Sequence, residues 1–145
     1  MAAAETVALI ERYYRAFNAG DSEAMLACLA EHVVHDVNQG TRRVGKAAFR
    51  AFTAHMERCY AEQLENIVVM ATANGTRAAA ELDVLGTYVE TDEGLPPACG
   101  QTYRLPAGAF FEVENGLIVR VTNYYNLTAW LKQIAAPPEE PAPAQ

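Results

Sequence analysis

The stretch AEHVVHDVNQG, residues 30–40, carries polar side chains at His35, Asp36, Asn38 and Gln39, directly after a pair of valines. A carboxylate beside valines loses part of its hydration, which raises its pKa and suits it to move a proton near neutral pH. Strand alternation places Asp36 and Asn38 on one face and His35 on the other. Asp36 is therefore either a general base aimed into a pocket or a carboxylate satisfied by amides of the following loop.

His32, His35 and Asp36 together look like a set of metal ligands. Residues three apart on a strand point to opposite faces, so we expect no metal site there. His35 is expected to pack against a helix, and a place in the pocket beside Asp36 is the alternative. Glu81 and Asp83 alternate on a later strand and are expected on a solvated or subunit-contacting face, with a second catalytic acid as the alternative.

The segment GLIVRVTNYYN, residues 116–126, places Asn123 and Tyr125 on one strand face with Val121. An amide and a phenol can donate hydrogen bonds to a developing oxyanion, provided that the fold holds them in place. A polar ladder between neighbouring strands is the alternative. Tyr13 and Tyr14 are adjacent on the first helix, and we expect only one of them to lead its inward face.

The order of elements indicates an α+β fold. Apolar spacing and capping residues predict helices first, over residues 5–19, 22–32 and 46–63, around a short strand at 33–37. Period-two patterning then predicts strands over 64–73, 76–90, 102–114 and 116–126, with hairpins at the Asn-Gly pairs in 73–76 and 114–116 and a closing helix at 127–134. Helices that pack on one face of a curved, mostly antiparallel sheet form a cone with an open mouth. We expect a single domain over residues 1–134, a rim flap over 91–100 and a disordered Pro-rich tail over 135–145.

The composition of the chain disfavours several classes of binding partner. The net charge of −7 disfavours nucleic acid and anionic membrane surfaces. The three cysteines, Cys28, Cys59 and Cys99, form no CxxC pair, so no zinc knuckle or disulfide framework is expected. A reducing cytoplasm fits this pattern, and no signal peptide or apolar membrane span is recognisable.

The segment ERYYRAFNAGDSEAMLACLAEHVVHDVNQG, residues 11–40, resembles the opening of the ketosteroid isomerases. These enzymes belong to the nuclear transport factor 2-like superfamily, which includes the SnoaL-like polyketide cyclases. The resemblance implies the cystatin-like cone described above and a homodimer that pairs through the outer face of the sheet. It places Asp36 on the general base and Tyr13 on the phenol that donates to the oxyanion. The second, acidic oxyanion donor of the family is missing, because Gly108, Ala109 and Phe110 occupy its region.

Asn123 and Tyr125 could replace that donor. The remaining pocket candidates suit a small, flat, hydrophobic molecule: Phe17, Phe52, Met56, Tyr60, Val84, Tyr103, Phe111 and Val121. The resulting hypothesis is a cofactor-independent, proton-transferring isomerase, cyclase or dehydratase that acts on a hydrophobic carbonyl compound. A non-catalytic binding or assembly module is the alternative. Hydrolysis of an epoxide or ester by a water that Asp36 activates is a third hypothesis.

Overall fold

The computed structural model of the protein describes residues 2–135, which form one α+β unit. Within this range the helices are α1 Ala3–Asn18, α2 Ser22–Leu26, α3 Lys46–Cys59 and α4 Leu127–Ala135. The strands are β1 Leu29–Val37, β2 Arg43–Val44, β3 Tyr60–Ala71, β4 Arg77–Tyr88, β5 Thr102–Glu114 and β6 Leu117–Tyr125. They form one sheet in the order β2-β1-β6-β5-β4-β3, in which only β1 and β6 are parallel.

The sheet has an inner face that packs against α1 and α3, and an outer face that carries most of the charged side chains. Inner positions alternate along each strand, as the period-two pattern predicts. The core between α1, α2 and the sheet contains side chains that are at most 1% exposed: Leu9, Ile10, Leu26, Leu29, Val33, Phe111, Ile118 and Val121. The predicted fold class and the placement of helices before strands are therefore confirmed.

Two predicted boundaries are wrong, and both matter for the site. Helix α2 ends at Leu26 and β1 begins at Leu29, because this segment pairs with β6 rather than continuing the helix. Helix α3 ends at Cys59, and Tyr60 opens β3 by pairing with Tyr88 on β4. Residues that the sequence assigns to the last turn of a helix thus lie on a strand.

The two Asn-Gly turns are where the pattern predicts them. Asn115 and Gly116 both have positive φ, 51° and 77°, in the tight connection between β5 and β6. Positive φ at both central positions is the signature of the type I′ hairpin. The connection between β3 and β4 includes Gly75, with φ 72°.

Asn18, at the end of α1, ties that helix to the sheet. Its Nδ2 donates to the carbonyl of Leu64 at 2.9 Å, and its Oδ1 accepts from the Leu64 amide at 2.8 Å. Both backbone groups of one β3 residue are thereby satisfied by a single side chain. This pair of hydrogen bonds fixes the tyrosine-bearing helix over β3.

No helix of the described residues is long and apolar enough to cross a membrane. Ala135 closes α4, so the predicted tail is helical at its first residue. The rest of the predicted tail, from residue 136 onward, lies outside the described residues.

Candidate active site

A large open cavity lies between the inner face of the sheet and helices α1 and α3. Its volume is ≈ 1620 Å³. Most of the residues that the sequence nominates for the pocket line it: Tyr13, Phe17, Phe52, Met56, Tyr60, Val84, Tyr103, Asn123 and Tyr125. Aromatic and aliphatic walls with a few polar groups are typical of small-molecule sites.

Two nominated pocket residues do not line the cavity. Phe111 and Val121 are both 0% exposed and belong to the core beneath α1. The Phe111 ring packs edge-on against Tyr13 and Tyr14, with centroid separations of 6.0 and 6.1 Å. Their inward direction was predicted correctly, but helix α1 covers them.

Tyr13 and Tyr14 both face inward, whereas the sequence analysis expected only one to do so. Both line the cavity, and their ring centroids are 5.3 Å apart. Burial raises the pKa of both phenols, so each stays protonated and able to donate. The Tyr14 hydroxyl is enclosed without a hydrogen-bond partner among the described residues.

Asp36 does not line the cavity. Arg42 holds it with two hydrogen bonds, Nε to Oδ1 at 2.8 Å and Nη2 to Oδ2 at 3.0 Å. The Thr122 hydroxyl donates to Oδ2 at 2.9 Å. The hydrogen bond from Arg42 is the main reason that the pKa of Asp36 lies below its ordinary value. The expected raised pKa and cavity-facing direction are therefore wrong, because Asp36 lies on the outer face of β1.

The polar groups around Asp36 continue across the outer face as a ladder. Arg120 donates to the Thr122 hydroxyl at 2.7 Å and to Glu112 at 3.1 Å. Arg77 approaches the other oxygen of Glu112 at 3.3 Å. Asp36 is thus satisfied structurally, although by side chains rather than by the expected loop amides.

His35 faces inward from the same strand and packs against α3. Its ring lies 4.5 Å from the Phe49 centroid and 4.8 Å from the Phe52 centroid, and its Nδ1 is buried without a partner among the described residues. Burial, reinforced by the charge of Arg43, lowers the pKa of His35 to about 4. The packing interpretation of His35 fits this geometry, and a neutral imidazole stacked on phenylalanines leaves no room for the alternative.

Among the carboxyl groups of the described residues that line the cavity, the one whose pKa is raised is that of Glu62, a residue that the sequence pattern does not single out. Glu62 lies on β3, on the cavity wall, and accepts a hydrogen bond from the Tyr103 hydroxyl. Burial raises the pKa of this carboxyl, and the Tyr103 hydrogen bond offsets part of that rise. Glu62 also helps to raise the pKa of the Tyr125 phenol, which indicates that the two groups are close. A weak sequence signal exists, since a strand pattern puts Tyr60, Glu62 and Leu64 on one face and Gln63 and Glu65 on the other.

Asn123 and Tyr125 lie two residues apart on β6, and both line the cavity. Asn38 fixes this end of the strand. The backbone N–H of Asn38 donates to the Asn123 carbonyl at 2.9 Å, and its side-chain Oδ1 accepts from the backbone N–H of Tyr125 at 2.8 Å. The two candidate donors therefore lie on a strand segment whose backbone is fixed by two hydrogen bonds to Asn38.

An aromatic cluster closes the Glu62 end of the cavity. Trp130 of α4 packs against the rings of Tyr60, Tyr103 and Tyr125, at centroid separations of 5.7, 6.1 and 6.2 Å. The predicted rim flap packs here too, because Leu95 joins the same cluster.

Asp92 anchors the flap to the cavity wall and to α3. Its Oδ2 accepts from the Tyr60 hydroxyl at 2.7 Å, and its Oδ1 lies 2.9 Å from His55 Nε2. His55, Cys59 and Asp92 offer ligand atoms within 4.8 Å of one another. Arg58, however, donates to His55 Nδ1 at 3.0 Å. That guanidinium charge opposes a second cation, so these residues act as a hydrogen-bonded anchor rather than a metal site.

The topology and the cavity together define a class: an α+β fold in which helices pack on one face of a curved, mostly antiparallel sheet, with a large open cavity between the two layers. The chain belongs to the SnoaL-like domain family, whose model matches residues 10–121. The resemblance to SnoaL-like proteins is thus confirmed. No curated protein matches the chain.

Solved structures of proposed polyketide cyclases are similar to this chain along nearly their whole length. The protein from Pseudomonas putida is 59% identical, with a TM-score of 0.88, and the match covers 89% of this chain and 97% of that one. The protein from Xanthomonas campestris is 57% identical, with a TM-score of 0.88 and coverage of 90% and 96%. An LEH-like epoxide hydrolase of Mycobacterium tuberculosis shares the fold at 16% identity, a TM-score of 0.74 and coverage of 92% and 91%.

Proposed function

We propose that this protein is an enzyme that moves a proton at the carbon next to a carbonyl group of a hydrophobic compound, with Glu62 as the general base and acid. The observation that carries this proposal is a carboxyl group of raised pKa on the wall of a large, aromatic cavity. A base tuned upward in this way is effective near neutral pH. Asp36, the expected base, is ion-paired to Arg42 on the other face of the sheet.

In the proposed step, the Glu62 carboxylate takes a proton from the α-carbon. The C–H electron pair becomes the new C=C bond, and the carbonyl π pair moves to oxygen to give an enolate. Where a C=C bond lies next to the α-carbon, the enolate extends over it as a dienolate, and return of the proton from Glu62 to the far carbon of that bond shifts the double bond into conjugation with the carbonyl group. Attack of the enolate carbon on a second carbonyl of the same molecule closes a ring, and the Glu62 proton then goes to the resulting alkoxide.

The enolate oxygen needs donors that are already in place. Tyr125 and Asn123 supply a hydroxyl and an amide from a backbone segment that Asn38 fixes. Tyr13 offers a third donor from helix α1, which lines the same cavity. A buried phenol keeps its proton, because burial raises the pKa of both Tyr13 and Tyr125. This set would compensate for the missing acidic donor of the isomerase pattern.

The similarity to proposed polyketide cyclases supports ring closure as the outcome of the enolate. Three such structures are between 56% and 59% identical to this chain. Ring closure between two carbonyl-bearing carbons starts from the same enolate as double-bond migration. The proposed step uses side chains of this chain alone.

The test is proton exchange at carbon, which needs no knowledge of the natural substrate. Deuterium incorporation at C1 of 2-tetralone in D₂O is followed by NMR with wild-type protein, Glu62→Gln and Asp36→Asn. We expect the wild type and Asp36→Asn to accelerate exchange, and Glu62→Gln to fall to the buffer rate. If the wild type binds 2-naphthol in the cavity yet exchanges no proton of 2-tetralone, the binding-module alternative is the better account.

Two further expectations stay predictions, namely the homodimer and a cytoplasmic location. Exposed apolar side chains on the outer face favour the homodimer, namely Val68, Met70, Phe110 and Tyr124. Hydrolysis by water that Asp36 activates loses its geometric basis, because that carboxylate does not reach the cavity.

A further inference from the structure

Three residues in a row across the sheet connect the general base to its hydroxyl partner. Glu62 on β3 pairs with Gly86 on β4, and Gly86 pairs with Tyr103 on β5. Adjacent strands are about 4.8 Å apart, so Glu62 and Tyr103 are separated by about 10 Å of sheet. Tyr103 must therefore cross β4 to donate to Glu62.

Gly86 is the residue that leaves this crossing open. A Cβ added to Gly86 would overlap the ring carbons and the hydroxyl of Tyr103. Gly86 has no positive φ, so its backbone conformation is open to any residue. Glycine costs a strand conformational entropy and packing, and a buried glycine in a strand commonly marks a close approach of another group. Here that group is the Tyr103 ring.

We infer that Gly86 is a positioning residue, which lets Tyr103 lie across β4 and set the acidity of the Glu62 carboxyl. This inference rests on the proposed role of Glu62, and it adds a specific device for tuning that role. Without a side chain at residue 86, the Tyr103 ring lies flat beneath the cavity and donates to one Glu62 oxygen. The other oxygen remains free to face a substrate.

Two opposing influences set the pKa of the Glu62 carboxyl. Burial raises the pKa of Glu62, whereas the Tyr103 hydroxyl lowers it by stabilising the charged form. Glu62 in turn helps to raise the pKa of Tyr103, so the phenol remains the donor. Removing the hydroxyl leaves burial unopposed, which would keep Glu62 protonated at pH values where it must act as a base.

The experiment is a titration of the Glu62 side-chain carboxyl carbon by NMR in the wild type, Tyr103→Phe, Gly86→Ala and the double variant. Losing one hydrogen bond to a carboxylate corresponds to a shift of about one pKa unit. We expect both single variants to raise the Glu62 pKa by about that amount, and the double variant to raise it no further. The acidic limb of the 2-tetralone exchange profile should move upward by the same amount.

Gly108→Ala is the matched control, because a Cβ at Gly108 would meet only the Ala80 carbonyl at an ordinary 3.7 Å. That variant should leave the Glu62 pKa unchanged. An unchanged Glu62 pKa in Tyr103→Phe, or additive shifts in the double variant, would overturn the inference. Tyr103→Phe decides the matter even where Gly86→Ala does not fold. The titration needs no turnover, so its outcome is independent of the exchange assay. The inference about Gly86 can fail while Glu62 remains the proposed base, and the proposed base can fail while Gly86 still positions Tyr103.

Discussion

Asp36 on the outer face of the sheet and Glu62 on the inner face are both partly shielded carboxyl groups, and their surroundings shift their pKa values in opposite directions. Asp36 on the outer face accepts three hydrogen bonds, two of them from a guanidinium, and its pKa is lowered. Glu62 on the inner face accepts one hydrogen bond from a neutral phenol, and its pKa is raised. Two carboxyl groups whose pKa values diverge in this way have different roles. The outer carboxylate fastens β1 to β6 and the β2 loop, and the inner one is available for chemistry.

The largest expected effect is that of Glu62→Gln. The amide keeps the shape of the side chain but cannot accept a proton, so carbon-proton exchange should fall by about 10² to 10⁴-fold. The measurement is the initial rate of 2-tetralone deuteration at saturating substrate. A rate within threefold of the wild type would mean that the comparison between the two faces is wrong.

Tyr125→Phe removes one donor to the enolate oxygen while leaving the aromatic wall intact. Loss of a single oxyanion donor typically costs about 10²-fold in turnover, and the remaining Asn123 and Tyr13 should limit the loss here to about 10 to 100-fold. The effect should fall on kcat rather than on 2-naphthol affinity. Tyr124→Phe, next to it on the outer face, is the control and should behave like the wild type.

His35 sharpens the comparison on β1 itself, since it faces inward beside the outward-facing Asp36. Its pKa is lowered from 6.5 to about 4 in the folded protein. The unfolded chain therefore binds more protons between these values, so the stabilisation is full above pH 6.5 and is lost as the pH falls toward 4. Over this pH range, the contribution of His35 to the free energy of unfolding is at most about 3 kcal/mol.

We therefore expect His35→Leu to flatten the pH dependence of the free energy of unfolding between pH 6.5 and 4. Urea denaturation at intervals of half a pH unit measures the free energy of unfolding as a function of pH. His32→Leu, at an exposed position of the same strand, should keep the wild-type slope. Equal slopes in the wild type and His35→Leu would show that His35 titrates normally in the folded state.

The smallest effect is expected for Asp36→Asn. Its partner Arg42 is largely exposed to solvent, and such ion pairs contribute little to stability. Turnover should stay within about twofold of the wild type, and the free energy of unfolding should fall by about 1 kcal/mol or less. Exchange rates and urea denaturation measure both quantities. A hundredfold loss of exchange with an intact fold would restore Asp36 as the base.

The sequence predicts most of the fold because the periodicities are clear and the Asn-Gly turns are specific. It also predicts the direction of Asn123 and Tyr125, whose spacing fixes their shared face on β6, whereas the inward direction of Tyr13 is what the family resemblance implies. The base escapes prediction for a local reason. Cys59 and Tyr60 fit the apolar stripe of α3, so the helix pattern runs on past Glu62, whereas Tyr60 instead pairs with Tyr88 on β4.

Asp36 shows the second limit of the sequence. Alternation correctly separates Asp36 from His35, but alternation alone does not say which face of β1 meets the helices. The deciding contacts are those of His35 with Phe49 and Phe52, from a helix ten and more residues away along the chain. A resemblance to a family motif can match the residue and still leave the side chain on the other face.

The most direct test of the central claim is a pH titration of the carboxyl carbons of Glu62 and Asp36 in one sample, followed by NMR. Selective assignment comes from Glu62→Gln and Asp36→Asn, each of which removes one resonance. The account predicts a Glu62 pKa above the ordinary value for glutamate and an Asp36 pKa below that for aspartate. The reverse order, with Asp36 raised and Glu62 ordinary, would contradict it.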